Sequence, residues 1–167
     1  MRYQYAFVEK WTLGASPEAV FRALADFELW PRWGYPCYLE GTRQGKPGVV
    51  GTTGSVLVRG GLPVKVTMNL QITRVVPGRE LELAISGDLE GFAIKSVRPM
   101  PGGTTELLSD MCCNPRLPWV RALTPVLRRM FCWNHEQAIN AGYAGLARYL
   151  GDAGSKEPAG RQRHAAV

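Results

Sequence analysis

Apolar side chains fall in two rhythms along this chain, and the change of rhythm organises it. Tyr3, Tyr5, Phe7, Trp11 and Leu13 share one parity, broken by Glu9. A period of two with aromatic residues predicts a strand buried on its odd-numbered face. Gly14-Ala15-Ser16-Pro17-Glu18 ends it, with Ser16 suited to a helix N-cap and Pro17 to the first helical position. Val20, Phe21, Leu24 and Ala25 then recur at helical spacing to about Asp26-Phe27. A second short helix is predicted over 28–32, limited by Pro31.

Glycines at 41, 45, 48, 51, 54, 60 and 61 predict short strands joined by turns, near 38–44 and 52–58. The clearest alternation covers 64–76. There Val64, Val66, Met68, Leu70 and Ile72 point one way, and Lys65, Thr67, Asn69, Gln71 and Thr73 the other. After a turn at Pro77-Gly78, Leu81, Leu83 and Ile85 mark another half-buried strand. Further strands follow over 92–98 and 104–111, separated by a turn at 99–103. Beyond the break at 114–118 the rhythm turns helical from Trp119 to Leu150. One stripe carries Val120, Leu123, Leu127, Phe131, Asn134, Ala138, Ala141, Gly145 and Tyr149. Pro125 either kinks this helix or starts its main segment with Thr124 as cap. Residues 152–167 have no periodic apolar pattern and read as a disordered polar tail.

This order predicts an α+β domain over 1–151. A curved antiparallel sheet of about seven strands wraps on a long C-terminal helix, with two short helices after the first strand. The sheet's apolar face needs a cover, and only the last helix is large enough. Four stretches carry a resemblance: Ala15-Ser16-Pro17-Glu18-Ala19-Val20-Phe21, the segment from Leu24 to Trp33, the hairpin from Arg98 to Thr104, and Gly145-Leu146-Ala147-Arg148-Tyr149-Leu150. In this order they resemble the START-like (SRPBCC, helix-grip) superfamily of polyketide cyclases, lipid-transfer domains and plant-allergen-like proteins. The resemblance implies an apolar small-molecule ligand held between helix and sheet. It leaves two functions open. One is a polyketide cyclase/dehydrase (aromatase-like) acting on a chain held by an acyl carrier protein. The other is non-catalytic binding or transfer of a lipid, quinone or similar molecule. A weaker third is a partner-binding regulator.

Composition narrows this little. The 167 residues are 46% hydrophobic and 20% charged, as one globular domain requires. The net charge of +6 comes from scattered basic residues, not one face interleaved with exposed aromatics, which argues against a nucleic-acid partner. At most a weak attraction to anionic membranes remains. No apolar run reaches the ~18 residues of a membrane span, and the start lacks a signal-peptide layout, so a cytoplasmic monomer or homodimer is expected. Cys132 and His135 stand three apart, and Cys112 or Cys113 could join them on a metal. A structural zinc site normally closes with four ligands, so the four cysteines read as buried hydrophobes; no metal or cofactor is expected.

Candidate site residues come from parity and stripe. Met68, Leu70, Leu83, Phe92, Phe131 and Ala138 are assigned to the cavity wall. Asn134 is either a local hydrogen-bonding residue or a polar anchor of that wall. His135 is either a boundary residue or the acid–base group. The resemblance implies that the segment holding Trp30, Trp33, Tyr35 and Tyr38 borders the cavity entrance; Trp33 and Tyr35 are assigned to that mouth, Tyr35 also to proton transfer, while Trp30 reads as packing and Asp26 as a helix cap. The resemblance to cyclases implies that an inward arginine polarises a substrate carbonyl; Arg59 and Arg98 are the candidates, and parity turns Arg98 inward if Phe92 and Ile94 point inward. Glu9 shares parity with Trp11 and is a further inward charge. No Ser-His-Asp order, phosphate loop or dinucleotide fingerprint is present. For the tail, truncation after Gly151 is expected to move the melting temperature by less than about 3 °C, the shift that ~1 kcal/mol causes in a domain of this size. A larger drop in a thermal melt would show that the tail docks on the domain.

Overall fold

The computed structural model describes residues 4–151, so the tail at 152–167 lies outside the described residues. Seven strands form one antiparallel sheet: β1 (Tyr5–Leu13), β2 (Tyr38–Gln44), β3 (Thr53–Arg59), β4 (Lys65–Val76), β5 (Glu80–Gly87), β6 (Leu89–Met100) and β7 (Thr104–Pro115). Their order is β1-β7-β6-β5-β4-β3-β2, a meander with β1 returned to its far edge. Two short helices, α1 (Pro17–Ala25) and α2 (Trp30–Gly34), carry the chain from one edge to the other, and α3 (Pro118–Tyr149) follows the last strand.

Local chemistry explains the early elements. The Ser16 hydroxyl accepts from the Ala19 amide at 3.2 Å, with Pro17 opening α1. Asp26 closes that helix and accepts from the Glu28 amide at 3.1 Å. Its carboxylate also meets Arg43 of β2 at 3.0 Å, tying the helical crossing to the sheet edge. Along β4, Met68, Leu70 and Ile72 are buried while Lys65, Thr67, Asn69 and Gln71 are exposed, as the alternation predicts.

Two expectations need correction. On β6 the buried residues are Ala93, Lys95 and Val97, so Phe92 and Arg98 face the other side of the sheet. Register is the reason. Directly opposed residues share a face in an antiparallel pair. Ala93 stands opposite Leu83 and Lys95 opposite Leu81, both inward, whereas Phe92 stands opposite Ala84. On α3, Leu123 is 41% and Tyr149 48% exposed. The buried positions are Thr124, Cys132, Ala138, Ile139, Gly142, Tyr143, Gly145 and Leu146, a stripe rotated from the apolar one. The helix begins at Pro118 and stays helical through Pro125, so Thr124 is no cap; its hydroxyl donates to the Val120 carbonyl at 2.9 Å.

Small residues decide this phase. A Cβ on Gly145 would lie 1.7 Å from the Trp33 carbonyl oxygen, and one on Gly142 3.3 Å from the Tyr38 ring. Backbone of α3 therefore rests on backbone of α2. Gly145→Ala gains helix propensity of about 1 kcal/mol but must push the two helices apart. A net loss of ~1–3 kcal/mol is expected in denaturant melts; unchanged or raised stability would refute the close approach.

Candidate ligand cavity

A cavity of about 390 Å³ lies between the concave sheet face and α3. Its deep walls are buried side chains: Met68 and Leu70 from β4, Leu83 and Ile85 from β5, Ala93 from β6, Met111 from β7, and Ala138 and Ile139 from α3. Toward the opening the lining is partly exposed: Leu62 and Pro63 of the loop before β4, Leu89, Leu117, Trp119, Val120 and Phe131. Of the side chains assigned from sequence, Met68, Leu70, Leu83, Phe131, Asn134, His135 and Ala138 line it.

The others do not. Phe92 and Arg98 are turned away by register, and Arg98 is exposed opposite Glu106. Arg59 is exposed at the end of β3. Tyr35 is 65% exposed beyond the end of α2, outside the cavity, because Trp33 and Gly34 face inward and leave it to solvent. Trp33 is buried, but in the wedge between α1 and α3, where its indole N–H donates to the Ala23 carbonyl at 3.2 Å. Trp30, expected as packing, reaches the lining instead, as does Tyr38 of the same aromatic segment. The side-chain oxygen of Asn134 accepts from the Leu62 amide at 2.7 Å, which pins the 60–62 loop to α3 beside the opening.

One end of this apolar space is polar. Glu9 of β1 is 2% exposed, and its Oε1 lies 2.7 Å from His135 Nε2. The His135 ring stacks on Phe7 with centroids 3.7 Å apart, which fixes its plane. Lys95 of β6 is 7% exposed, and its ammonium donates to Ser109 Oγ at 2.5 Å and to the Tyr143 hydroxyl at 2.8 Å. Ser109 stands opposite both Glu9 and Lys95 in the strand register, so it links the acid to the amine. Sequence reading misses Lys95 because the bulky neighbour Phe92 sets the apparent parity of that segment. The run Ala93-Lys95-Val97, placed against Leu81 and Leu83 by the hairpin at 87–88, holds the missing signal.

Electrostatics distinguishes these groups from the cysteines. Burial pushes the Glu9 carboxyl up. The hydrogen bond and charge of His135, the charge of Lys95 and the Ser109 hydroxyl outweigh it and hold the carboxyl below its ordinary value. Glu9 is therefore an anion at neutral pH. Burial pushes the Cys37 and Cys113 thiols, both in the lining, up to about 12, so they remain protonated and inert. Among the described residues no group of three or more His, Cys, Asp or Glu side chains is placed to hold a metal.

Glu9→Gln tests the polar end. Removing one partner of a buried pair costs about 3 kcal/mol, so the variant should be destabilised by that order at pH 7. A carboxyl held low stabilises the fold fully above its unfolded value of about 4.3, and that stabilisation is lost as the pH falls through the folded value. The gap between wild type and variant should therefore narrow below about pH 4. A gap independent of pH in parallel denaturant melts would show that the carboxylate charge is not what stabilises the pair.

Similarities to known proteins follow the same architecture. The family model described as polyketide cyclase / dehydrase and lipid transport matches residues 5–151. A structure from Thermus thermophilus superposes with a TM-score of 0.74 at 15% identity, covering 90% of this chain and 99% of that one. A START superfamily protein from Mycobacterium smegmatis gives 0.65 at 15% identity, with 90% and 99% covered. A Chromobacterium violaceum protein gives 0.60 at 16% identity, with 87% and 97% covered. No curated protein matches this chain in sequence. At these identities the structures speak for the fold, the START-like helix grip. The family match covers the sheet, the crossing helices and α3 together, and the chain belongs to the polyketide cyclase / dehydrase and lipid transport family.

Proposed function

We propose that this protein binds an apolar small molecule between its sheet and α3, admitting it past the 60–64 loop and the start of α3. The supporting observation is the cavity itself. Its volume of about 390 Å³ falls in the range of small-molecule sites, and its lining is apolar apart from one end. An apolar ligand in this space would gain dispersion contacts with walls on several sides.

A second reading, polyketide cyclase/dehydrase chemistry on a chain delivered by an acyl carrier protein, draws its support from the Glu9–His135 pair. With one ring nitrogen held by the carboxylate, the other is left to accept or return a proton, the arrangement by which a carboxylate orients a catalytic histidine. His135 would be the acid–base group of that reading.

Ala138 lies on the cavity wall at 8% exposure. Ala138→Trp should abolish binding of the molecule that co-purifies with the wild type, read by native mass spectrometry, while the melting temperature stays within a few degrees. If the space is instead packed tightly in solution, the extra ring should cost ~1–3 kcal/mol of stability. A wild type that carries no ligand and takes up no apolar probe would defeat the binding proposal itself.

A further inference from the structure

Lys95 has a chemical position that apolar-ligand binding alone does not explain. A buried ammonium is costly unless its donors and its charge are matched. Nζ has three N–H groups, and the two side chains it donates to, Ser109 and Tyr143, are neutral hydroxyls. Among the described residues no carboxylate oxygen lies within 4.0 Å of it; the nearest acid in the cluster, Glu9, is engaged with His135. Lys95 nevertheless belongs to the cavity lining, along with the apolar Ala93, Met111 and Phe7. Its partner Tyr143 stands about 13.5 Å further along α3 than Asn134, at ~1.5 Å per residue, and Asn134 holds the 60–62 loop.

We propose that Lys95 is the head-group site of this cavity, and that the ligand is an apolar molecule ending in a carbonyl or carboxylate oxygen, bound oxygen-first against Nζ. This rests on the ligand-binding reading above and adds the ligand's class and orientation. The third N–H supplies the hydrogen bond. Tyr143 and Ser109 fix the direction of the amine, and Tyr143 is itself held against Trp11 with ring centroids 5.2 Å apart. The Glu9 anion offsets the ammonium through Ser109, so a neutral carbonyl oxygen completes the cluster without a new charge. A carboxylate would pair its charge directly with the ammonium.

The test uses three fluorescent probes of one shape. These are the ketone prodan, its carboxylate analogue, and as parent the propyl-substituted dimethylaminonaphthalene, in which a CH2 replaces the prodan carbonyl. Wild type should bind the ketone, the carboxylate or both about tenfold more tightly than the parent, as one hydrogen bond from a charged donor implies. Which of the two binds more tightly identifies the head group. Lys95→Met, checked for folding by its thermal melt, should bind all three within about twofold. Bound prodan should emit at longer wavelength in wild type than in Lys95→Met, because a hydrogen-bonded carbonyl lowers the emission energy. If wild type binds the parent as tightly as both oxygen-bearing probes, the head-group site is refuted and the apolar cavity stands; this ranking decides even if the variant does not fold. A preference for oxygen that survives Lys95→Met refutes the role of Lys95. Failure of every probe to bind folded wild type defeats the cavity reading instead.

Discussion

Gly145 lets the backbone of α3 touch the backbone of α2, and the shape of the interior follows from that contact. A helix of thirty-two residues laid on a curved sheet cannot be close to it everywhere. Here the closeness is concentrated at one end. Buried residues crowd into the second half of α3, from Ala138 to Leu146, while the first half buries only Thr124 and Cys132. Where the helix stands off, the space beneath it is walled by residues that are apolar but too small or too few to fill it. The 60–62 loop, tied to Asn134, narrows the gap without closing it.

The polar cluster sits where that space ends against the tightly packed region. It joins β1, β6, β7 and α3 through Glu9, Lys95, Ser109, Tyr143 and His135, so four elements share one hydrogen-bonded system. Each member has at least one hydrogen-bond partner in the cluster, which offsets part of the cost of burying it in an apolar setting. The same system gives the interior a direction. Without it the walls would offer an apolar molecule no preferred end.

Much of this is readable from residue order. The alternation in β4 and the Ser16-Pro17 start of α1 are local signals, because each is decided by neighbours in sequence. The inward position of Glu9 is also legible, since parity within one strand suffices. What fails depends on partners. A large aromatic suggests the core side and so points Phe92 and Arg98 inward, yet the register against Leu81 and Leu83 turns Ala93 and Lys95 inward instead. Leu123 and Tyr149 look like core on hydrophobicity, but the phase of α3 is set by glycines, whose signal is the absence of a side chain. Trp33 and Tyr35 suit a cavity mouth by their aromatic character; which of such neighbours faces inward depends on how α2 lies on α3.

The Glu9–His135 contact joins positions 126 residues apart. Strand β1 must wait for β7, and the helix that covers the sheet follows all seven strands in chain order. The concave face, with Met68, Leu70, Leu83 and Ile85, therefore has no cover until α3 folds onto it. Such long-range closure is slow, and an uncovered apolar sheet is prone to associate with others like it. A nascent chain stalled before residue 118 would present that face to chaperones, or to an apolar molecule already at hand, before the mature opening exists.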